Sequence, residues 1–359
     1  MSTSATRSGP SSGPPVGPLS VGLLGFGLAG SVFHAPLIQC EPRLRLAAIA
    51  SSRTEEIRKA APEAVAHASP AAIIADPDID VVVIATPNTS HAALARAALL
   101  AGKHVVVDKP MATSVREADQ LIELAHRQDR LLTVFHNRRW DGDFLTLRDC
   151  IDSGALGEVY HYEAHFDRFR PAIKQGWRER PLPGSGVLFD LGAHLIDQAL
   201  TLFGLPQTVT ADVGTQRRAG EVDDWFHLIL NYGRMRAILH AGTVVCHPGP
   251  RYQIHGDAGS FLKSGMDGQE AALRAGRRPT DSDWGLDEPD RYGRLFEADG
   301  GERVVETRVG DYAAFYRGVA AAILDGEAPP VTAESARYVM AVLEACARSA
   351  VERRTVALP

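Results

Sequence analysis

Short apolar runs alternate with helical patterns over the first part of the chain. The runs LSVGLL, LRLAAIA, VVVIA and HVVVD have the character of buried strands, while a segment such as SHAALARAALLAGK has the apolar spacing of a helix. Apolar strands separated by helices are typical of a parallel sheet that helices cover on both faces. We therefore predict an α/β unit over residues 19–138, a Rossmann doubly wound parallel sheet with LLTVF as its last strand.

After residue 138 the pattern changes to the strict alternation of half-buried strands. Similar β signals occur in EVYHYEAHFDRF, TVTADVGTQR, DWFHLILNY, MRAILHAGTVV and RYQIHG. We predict that residues 139–359 form a C-terminal α+β domain with a large, mostly antiparallel open sheet. In the first of these segments one face carries Tyr160, Tyr162, Ala164 and Phe166, and the other carries His161, Glu163, His165 and Asp167.

Composition and charge narrow the class of protein. The 359 residues are 45% hydrophobic and carry a formal net charge of −6, so we expect a globular protein that binds neither nucleic acid nor a membrane. The opening segment, residues 1–18, is rich in Ser, Gly and Pro and is predicted to be a disordered tail without an export signal. The four cysteines are scattered singly, which favours reduced thiols and a cytoplasmic location.

A GxGxxG pattern follows the first strand. Gly25 would allow the tight turn, Gly27 would let a pyrophosphate approach the backbone, and Gly30 would let the next helix pack against the strand. An ordinary strand-to-helix turn could carry the same glycines, but the surrounding strands and helices favour a dinucleotide site. Phe26 and Ala29, within the pattern, are included in the predicted site.

The end of the second strand indicates which dinucleotide is bound. An NAD site usually places an acidic residue there, whereas this chain has Ser51, Ser52 and Arg53. Two hydroxyls and a guanidinium suit the 2′-phosphate of NADP, because arginine can donate paired hydrogen bonds to it. We predict NADP, with NAD still possible; the alternative is a solvated turn.

Two further strand ends should also face the cofactor, because ligands bind at the carboxyl ends of parallel strands. Thr86, Pro87, Asn88 and His91 follow one strand, although His91 could equally be a surface residue. Lys109 follows the next, where its ammonium could hydrogen-bond a substrate oxygen. The alternative for the lysine is a surface pair with Asp108, and the bond to Pro110 could be cis.

The segment GSGVLFDLGAHLIDQALTLFG is predicted to be helical from about Phe189. Helical spacing would place Asp190, His194 and Asp197 on one polar stripe. A histidine that titrates near neutrality is a natural acceptor for a hydroxyl proton, and a nearby carboxylate can orient it or hold the substrate. A capping aspartate and a structural histidine are the alternative. Lys109 favours the catalytic interpretation.

Metal binding is not expected. His161 and His165 share one face of a predicted strand, but sequence shows no convergent set of ligands, and a polar sheet face is the simpler interpretation.

The segments GFGLAG, DKPMATSVREADQLIELA, HNRRWD and DLGAHLIDQALTLFG, in this order and spacing, resemble the glucose-fructose oxidoreductase / inositol dehydrogenase (Gfo/Idh/MocA) family. Other segments, among them GPRYQIHG and DGQEAALRAGRRP, are similar to its NADP-dependent inositol dehydrogenases. Asp108 stands where the family usually has Glu, which preserves the charge.

The resemblance implies roles for particular residues. Lys109 would be catalytic, His194 would be the acid/base, and Asp190 would bind or orient the polyol. Arg138 and Trp177 would contact the substrate. The second domain would bind substrate and, through the open face of its sheet, form a homodimer or homotetramer.

We therefore expect an NADP-dependent dehydrogenase that transfers a hydride between the cofactor and a secondary alcohol or ketone of a cyclic polyol similar to scyllo-inositol. Two alternatives remain: an aldose or other sugar dehydrogenase of the same family, and a catalytically inactive NAD(P)-binding regulator.

Overall fold

The computed structural model describes residues 17–174 and 176–358, so the predicted tail lies almost entirely outside the described residues. The first part of the chain alternates strands and helices. Its strands are β1 Leu19–Leu24, β2 Leu44–Ala50, β3 Val65–His67, β4 Val81–Ile84, β5 His104–Asp108 and β6 Leu132–Phe135. Its α-helices are α1 Ala35–Gln39, α2 Thr54–Ala60, α3 Pro70–Ala75, α4 His91–Leu100 and α5 Val115–Gln128, with a π-helical stretch at Ala29–His34 and 3₁₀ turns at Asn88–Ser90 and Asn137–Trp140.

Within the described residues, these strands form one six-stranded sheet in the order β3-β2-β1-β4-β5-β6, with every pair parallel. This is the strand order of a Rossmann fold, so the predicted fold of the first part is confirmed. Because the strands are parallel, their carboxyl ends lie along one edge of the sheet. The loops that follow β1, β2, β4 and β5 therefore share that edge.

The second part builds a larger sheet. Its strands are β7 Val159–His165, β8 Thr208–Gly214, β9 Trp225–Tyr232, β10 Met235–Gly242, β11 Tyr252–Gly256, β12 Gly259–Lys263, β13 Gly293–Glu297, β14 Glu302–Val305 and β15 Val356–Ala357. Its α-helices are α6 Gly142–Asp152, α7 Ala193–Phe203, α8 Gln269–Arg274, α9 Ala313–Leu324 and α10 Ala333–Glu352, with a π-helical stretch at Leu188–Gly192 and 3₁₀ turns at Trp177–Glu179 and Pro289–Arg291.

Among the described residues this sheet has nine strands, in the order β14-β13-β12-β11-β7-β10-β9-β8-β15. Its pairs are antiparallel except for β7 with β10, so the prediction of a mostly antiparallel sheet is confirmed. The alternation in β7 is confirmed too: Tyr162 and Ala164 are fully buried, whereas His161, Glu163 and His165 are partly exposed on the other face.

One face of the large sheet packs against helices, and the other is open. Apolar residues of β7, β9 and β10 form a core with α7 and α10, which includes Phe226, Leu195 and Leu343. The opposite face carries the partly exposed polar side chains of the same strands. We call it the open face, defined by His161, Glu163, His165, His227 and His240.

The end of the chain returns to the parallel sheet. Phe315, Tyr316 and Val319 of α9 are fully buried in the core of the first part, although they lie beyond the boundary predicted at residue 138. Thr133 of β6 also donates a hydrogen bond of 2.6 Å to the carbonyl of Val331. Residues from the end of the chain thus contribute to the core of the first part.

Candidate active site

The turn after β1 has the shape that a dinucleotide needs. Gly25 has φ +98°, and a Cβ there would lie 2.6 Å from the carbonyl oxygen of Ala85. A Cβ on Gly30 would collide with the carbonyl of Gly25, whereas a Cβ on Gly27 would meet no atom within 4 Å. The backbone at Gly27 thus borders open space, which fits the close approach of a pyrophosphate.

The other two residues of this turn differ in position. Phe26 is 2% exposed and packs in the core, so only its backbone is available at the turn. Ala29 begins the π-helical stretch and lines a cavity that Lys109 and His194 also line.

The predicted 2′-phosphate residues lie in the loop after β2. Arg53 is exposed and its Nη1 is 3.2 Å from Oε2 of Glu56, while Ser51 Oγ accepts a hydrogen bond from the Arg53 backbone. Ser52 is also exposed. An exposed ion pair contributes little to stability, so Arg53 can exchange Glu56 for a phosphate at small cost.

The loop after β4 is held from several sides. Thr86 Oγ1 is 2.7 Å from the Ser90 hydroxyl, and Asn88 Nδ2 donates to the carbonyl of Gly184. His91 is buried, with Nδ1 2.8 Å from the Pro110 carbonyl and Nε2 2.9 Å from that of Thr86. It is therefore not a surface residue: it ties this loop to the segment that carries Lys109.

Lys109 leaves the end of β5 and reaches the second part of the molecule. Its Nζ donates to the carbonyl oxygen of Asp190 at 2.6 Å and lies 3.0 Å from Asp190 Oδ1. The ammonium does not pair with Asp108, which was the alternative. Asp108 Oδ1 accepts a hydrogen bond from the backbone N–H of Lys109 instead. The Lys109–Pro110 bond is cis.

Asp190 is surrounded by positive charge. Burial alone would raise its pKa, but Lys109, Arg178 and Arg168 outweigh that effect and hold the pKa below its ordinary value. Its Oδ1 is 3.4 Å from Arg178 Nε, and its Oδ2 is 3.9 Å from Arg168 Nη1. The carboxylate therefore stays ionised.

His194 is the neutral group of the site. It is 7% exposed, and its Nδ1 has no hydrogen-bond partner among the described residues. Burial lowers its pKa well below the ordinary value, and the charges of Lys109 and Arg138 lower it further. An uncharged imidazole can accept a proton.

The helix around these residues differs from the predicted one. It begins with a π-helical stretch, Leu188–Gly192, and becomes an α-helix at Ala193. Asp197 leaves the predicted stripe: it is buried, and both its oxygens contact Arg139, at 2.6 and 2.9 Å.

A cavity of about 380 Å³ unites most of these groups. The residues predicted from sequence that line it are Ala29, Lys109, Arg138, Trp177, Asp190 and His194. The loops after β2 and β4 lie along the same sheet edge but do not line it. This fits a dinucleotide that enters along the edge and ends at the cavity.

Sequence reasoning missed several residues of this cavity. Arg168 and Arg178 follow β7 in a segment without periodic pattern, and Glu270 lies far along the chain. Burial lowers the pKa of Arg168 to about 10. Glu270 accepts a 2.6 Å hydrogen bond from Arg138, which also contacts Asp141 at 3.2 Å. The signal for Arg168 was its position just past a strand end.

Fold and site together define a dinucleotide-dependent oxidoreductase in which the parallel sheet supplies a lysine and the second part supplies a carboxylate and a histidine. Residues 19–136 match the model of the oxidoreductase family, NAD-binding Rossmann fold, and residues 148–358 match its C-terminal alpha/beta domain. The chain belongs to the Gfo/Idh/MocA oxidoreductase family, as its resemblance predicted.

Individual relatives agree with this assignment. The scyllo-inositol 2-dehydrogenase (NADP(+)) IolW of Bacillus subtilis is 45% identical over 95% of this chain and 96% of its own. The structure of the putative oxidoreductase yvaA from Bacillus subtilis superposes with a TM-score of 0.94 at 44% identity, covering 96% of this chain and 99% of that one. The D-glucoside 3-dehydrogenase of Escherichia coli is 29% identical over 58% of this chain and 62% of its own.

Every helix within the described residues is too short or too polar to cross a membrane.

Proposed function

We propose that the protein is an NADP-dependent dehydrogenase of a cyclic polyol related to scyllo-inositol. One observation carries the proposal: an ammonium, an ionised carboxylate and a neutral imidazole line one cavity beside the glycine turn. The substrate and cofactor in the name of the Bacillus subtilis relative support the same conclusion.

The residues divide the chemistry between them. Lys109 donates a hydrogen bond to the reacting oxygen and stabilises negative charge on it. His194 accepts the hydroxyl proton when the alcohol is oxidised and returns it when the ketone is reduced. Asp190 holds Lys109 in place through its carbonyl and carboxylate oxygens, and it accepts a hydrogen bond from a neighbouring hydroxyl of the substrate. The nicotinamide, when bound, supplies the hydride acceptor or donor.

The cofactor residues have separate tasks. Gly25, Gly27 and Gly30, with Phe26 and Ala29, present the backbone to the pyrophosphate, and Ser51, Ser52 and Arg53 bind the 2′-phosphate. Thr86, Pro87 and Asn88 line the cofactor's path between these sites. His91 holds their loop in place through the carbonyls of Thr86 and Pro110. Arg138 and Trp177 form walls of the substrate cavity. Ser51, Ser52 and Arg53 stand at the carboxyl end of β2, where an NAD site usually has an acidic residue, and this favours NADP over NAD.

Lys109→Ala provides the direct test. We expect kcat to fall roughly 10²- to 10⁴-fold, because the reacting oxygen loses the hydrogen-bond donor that stabilises its negative charge, while the Kd for NADP changes little. Turnover is followed by the absorbance of reduced nicotinamide. Lys59→Ala removes an exposed lysine of α2 and is the matched control. Wild-type turnover in Lys109→Ala, with NADP bound normally, contradicts the proposal.

A sugar dehydrogenase is the second candidate, favoured by the similarity to the D-glucoside 3-dehydrogenase. A panel of inositols, aldoses and glucosides, each assayed with NADP and with NAD, separates the two. Preference for an inositol with NADP supports the first candidate, and preference for a glucoside or aldose supports the second. Tight cofactor binding with no turnover on any of them contradicts both.

We also infer a homodimer or homotetramer that associates through the open face. The support is the extent of that face, which runs across β7, β9 and β10 and which, within the described ranges, carries partly exposed polar side chains. Light scattering on the eluted protein is expected to give two or four chains per particle. A monomer at micromolar concentration contradicts the inference.

The four cysteines are free, which supports a reducing compartment such as the cytoplasm.

A further inference from the structure

The open face brings together two histidines that are far apart in sequence. β7 and β10 pair in parallel with His165 directly beside His240. Their side chains must share a face, because partners in register point the same way. Asp167, two residues past His165, continues on that face. The register thus assembles two imidazoles and one carboxylate that no sequence spacing reveals.

Their donor atoms converge. His165 Nδ1 is 3.1 Å from Asp167 Oδ2, and His240 Nε2 is 3.4 Å from Asp167 Oδ1. One donor atom from each of the three residues lies within 4.8 Å of the others. Bonds of about 2.0–2.2 Å to a tetrahedral ion put neighbouring ligand atoms roughly 3.3–3.5 Å apart. The 3.4 Å separation has this size and the 3.1 Å separation is slightly shorter, and the two involve different oxygens of Asp167.

The surroundings are also those of a metal ligand. Glu163 Oε1 is 2.7 Å from Nε2 of His165, on the side of the ring opposite Asp167. A carboxylate in this place fixes the tautomer and orientation of a coordinating histidine. Asp167 is held by the backbone N–H of Gly242 at 2.9 Å and is 4% exposed.

Hydrogen bonds to carboxylates explain the position of the His165 ring, but no hydrogen bond within the described part of the chain explains that of the His240 ring. Both nitrogens of His165 contact carboxylates. Among the described residues Nε2 of His240 has no hydrogen bond, and it lies 3.4 Å from Asp167 Oδ1, where an ion could bind it. The buried Nδ1 also has no partner among these residues, but an ion at Nε2 would not supply one. An ion between the three residues would give His240 and Asp167 a common partner, which the protein itself does not provide.

We propose that His165, Asp167 and His240 bind one divalent transition-metal ion, such as Zn²⁺ or Co²⁺, on the open face, with Glu163 orienting His165. Two imidazoles and a carboxylate are ligands that these ions accept. In the single chain the cluster is partly exposed and leaves a fourth position open, and because the open face is also the inferred subunit contact, the ion would lie at that contact. The site lies on the face of the sheet opposite the packed helices. It is separate from the proposed active site and does not depend on the proposed function.

The test uses the full-length protein, stripped with a chelator and then titrated with Co²⁺ and Zn²⁺. We expect one Co²⁺ per chain, with the intense visible bands of a tetrahedral site, and displacement of Co²⁺ by Zn²⁺. Asp167→Asn and His240→Ala should lose saturable binding. Glu163→Gln should weaken binding roughly 10- to 100-fold, since it removes only the support of His165.

Two controls make the result specific. His255→Ala removes another histidine of the large sheet, which lies beside His161 and outside the cluster, and should bind metal as the wild type does. The unfolding midpoint of metal-free Asp167→Asn should lie near that of the metal-free wild type, which would show that the variant is folded. The metal should raise the midpoint of the wild type and of His255→Ala, but not that of Asp167→Asn.

Absence of saturable binding in the wild type overturns the proposal, and the cluster is then a network of histidines and carboxylates without an ion. Binding that survives in Asp167→Asn, or that is lost equally in His255→Ala, overturns it too. Dehydrogenase turnover should be the same before and after chelation. Turnover that requires the ion would place the ion at the cavity rather than on the open face.

Discussion

At the residue scale, the electrostatic setting of His194 decides how the site responds to pH. Burial and four nearby positive or ionisable groups, among them Lys109 and Arg168, lower its pKa well below 6.5. The imidazole is therefore neutral, and able to accept a proton, at pH values where an exposed histidine is already charged. The rate of alcohol oxidation should stay constant as the pH falls through 6.5 and decline only in more acidic solution.

Arg168→Gln tests this dependence. Removing one positive charge raises the pKa of His194, so the base form is lost at a higher pH. We expect the acidic limb of the kcat/KM profile to move to higher pH, and by less than the loss of the Lys109 charge would move it, since Arg168 is the weakest of the charges that act on His194. Arg170→Gln, an exposed neighbour, should leave the limb in place.

The position of the limb is the measured quantity, because a merely structural change would alter the height of the profile and not its pH. An unshifted limb in Arg168→Gln would show that this charge does not act on His194.

The same residues show how far the sequence could predict the site. Lys109 could be found because a strand end in a parallel sheet has a known position relative to ligands. The role of Asp197 could not, because its partner Arg139 lies on another segment. Arg168 and Glu270 were missed because contacts between distant segments leave no periodic pattern in either one.

At the element scale, two glycines of the turn after β1 have different tasks: Gly27 matters for cofactor binding, and Gly30 matters for the stability of the fold. Gly27→Ala adds a methyl group where no atom lies within 4 Å, so stability should change by no more than about 0.5 kcal/mol. The methyl group would occupy space next to the pyrophosphate, and the Kd for NADP should rise about tenfold or more, equivalent to roughly 1.4 kcal/mol. Fluorescence titration with NADPH and a thermal melt measure the two effects.

Gly30→Ala is the contrasting variant. Its methyl group would collide with the carbonyl of Gly25, and relieving that contact should cost about 1–3 kcal/mol of stability. Cofactor binding should weaken as well, because the turn itself must move. Equal stability of the two variants would contradict the claim that Gly30, and not Gly27, is needed for the packing of the turn.

Strands were predicted well where they are long or continuously apolar, and poorly where they are short. β1, β2, β4, β5 and β6 are buried and nearly free of charge, so their runs stand out. β3 and β15 have three and two residues, too few to show a period. The π-helical stretches were also not predicted. They depend on hydrogen bonds between residues five apart, such as that from the Ala35 N–H to the Gly30 carbonyl, and amino-acid composition does not indicate this spacing.

At the scale of the whole molecule, the site exists only because two sheets are held in a fixed relation. Arg139, which follows β6, donates hydrogen bonds from Nε and Nη2 to the carboxylate of Asp197 on α7, and Gln198 Nε2 donates to the Arg138 carbonyl at 2.9 Å. Asp197 and Gln198 lie on the same helix as His194. They connect the part of the chain that carries Lys109 to the helix that carries His194.

Asp197→Ala should therefore be costly. It leaves the mostly buried Arg139 without its partner, and we expect a loss of about 3 kcal/mol of stability, measured from the unfolding midpoint. Asp119→Ala breaks the more exposed pair with Arg337 and should cost less than about 1 kcal/mol. Similar losses in both variants would show that the Arg139–Asp197 pair does not hold the two parts together.

The two π-helical stretches, Ala29–His34 and Leu188–Gly192, both border the same cavity. A π turn holds one residue more than an α turn, and each residue of a helix advances the next side chain by about 100°. Deleting a single residue from Leu188–Gly192 would let the helix relax to ordinary winding and swing Asp190 away from the ammonium it meets. Chain length at these two points, and not only the identity of the side chains, is thus a determinant of this enzyme's chemistry.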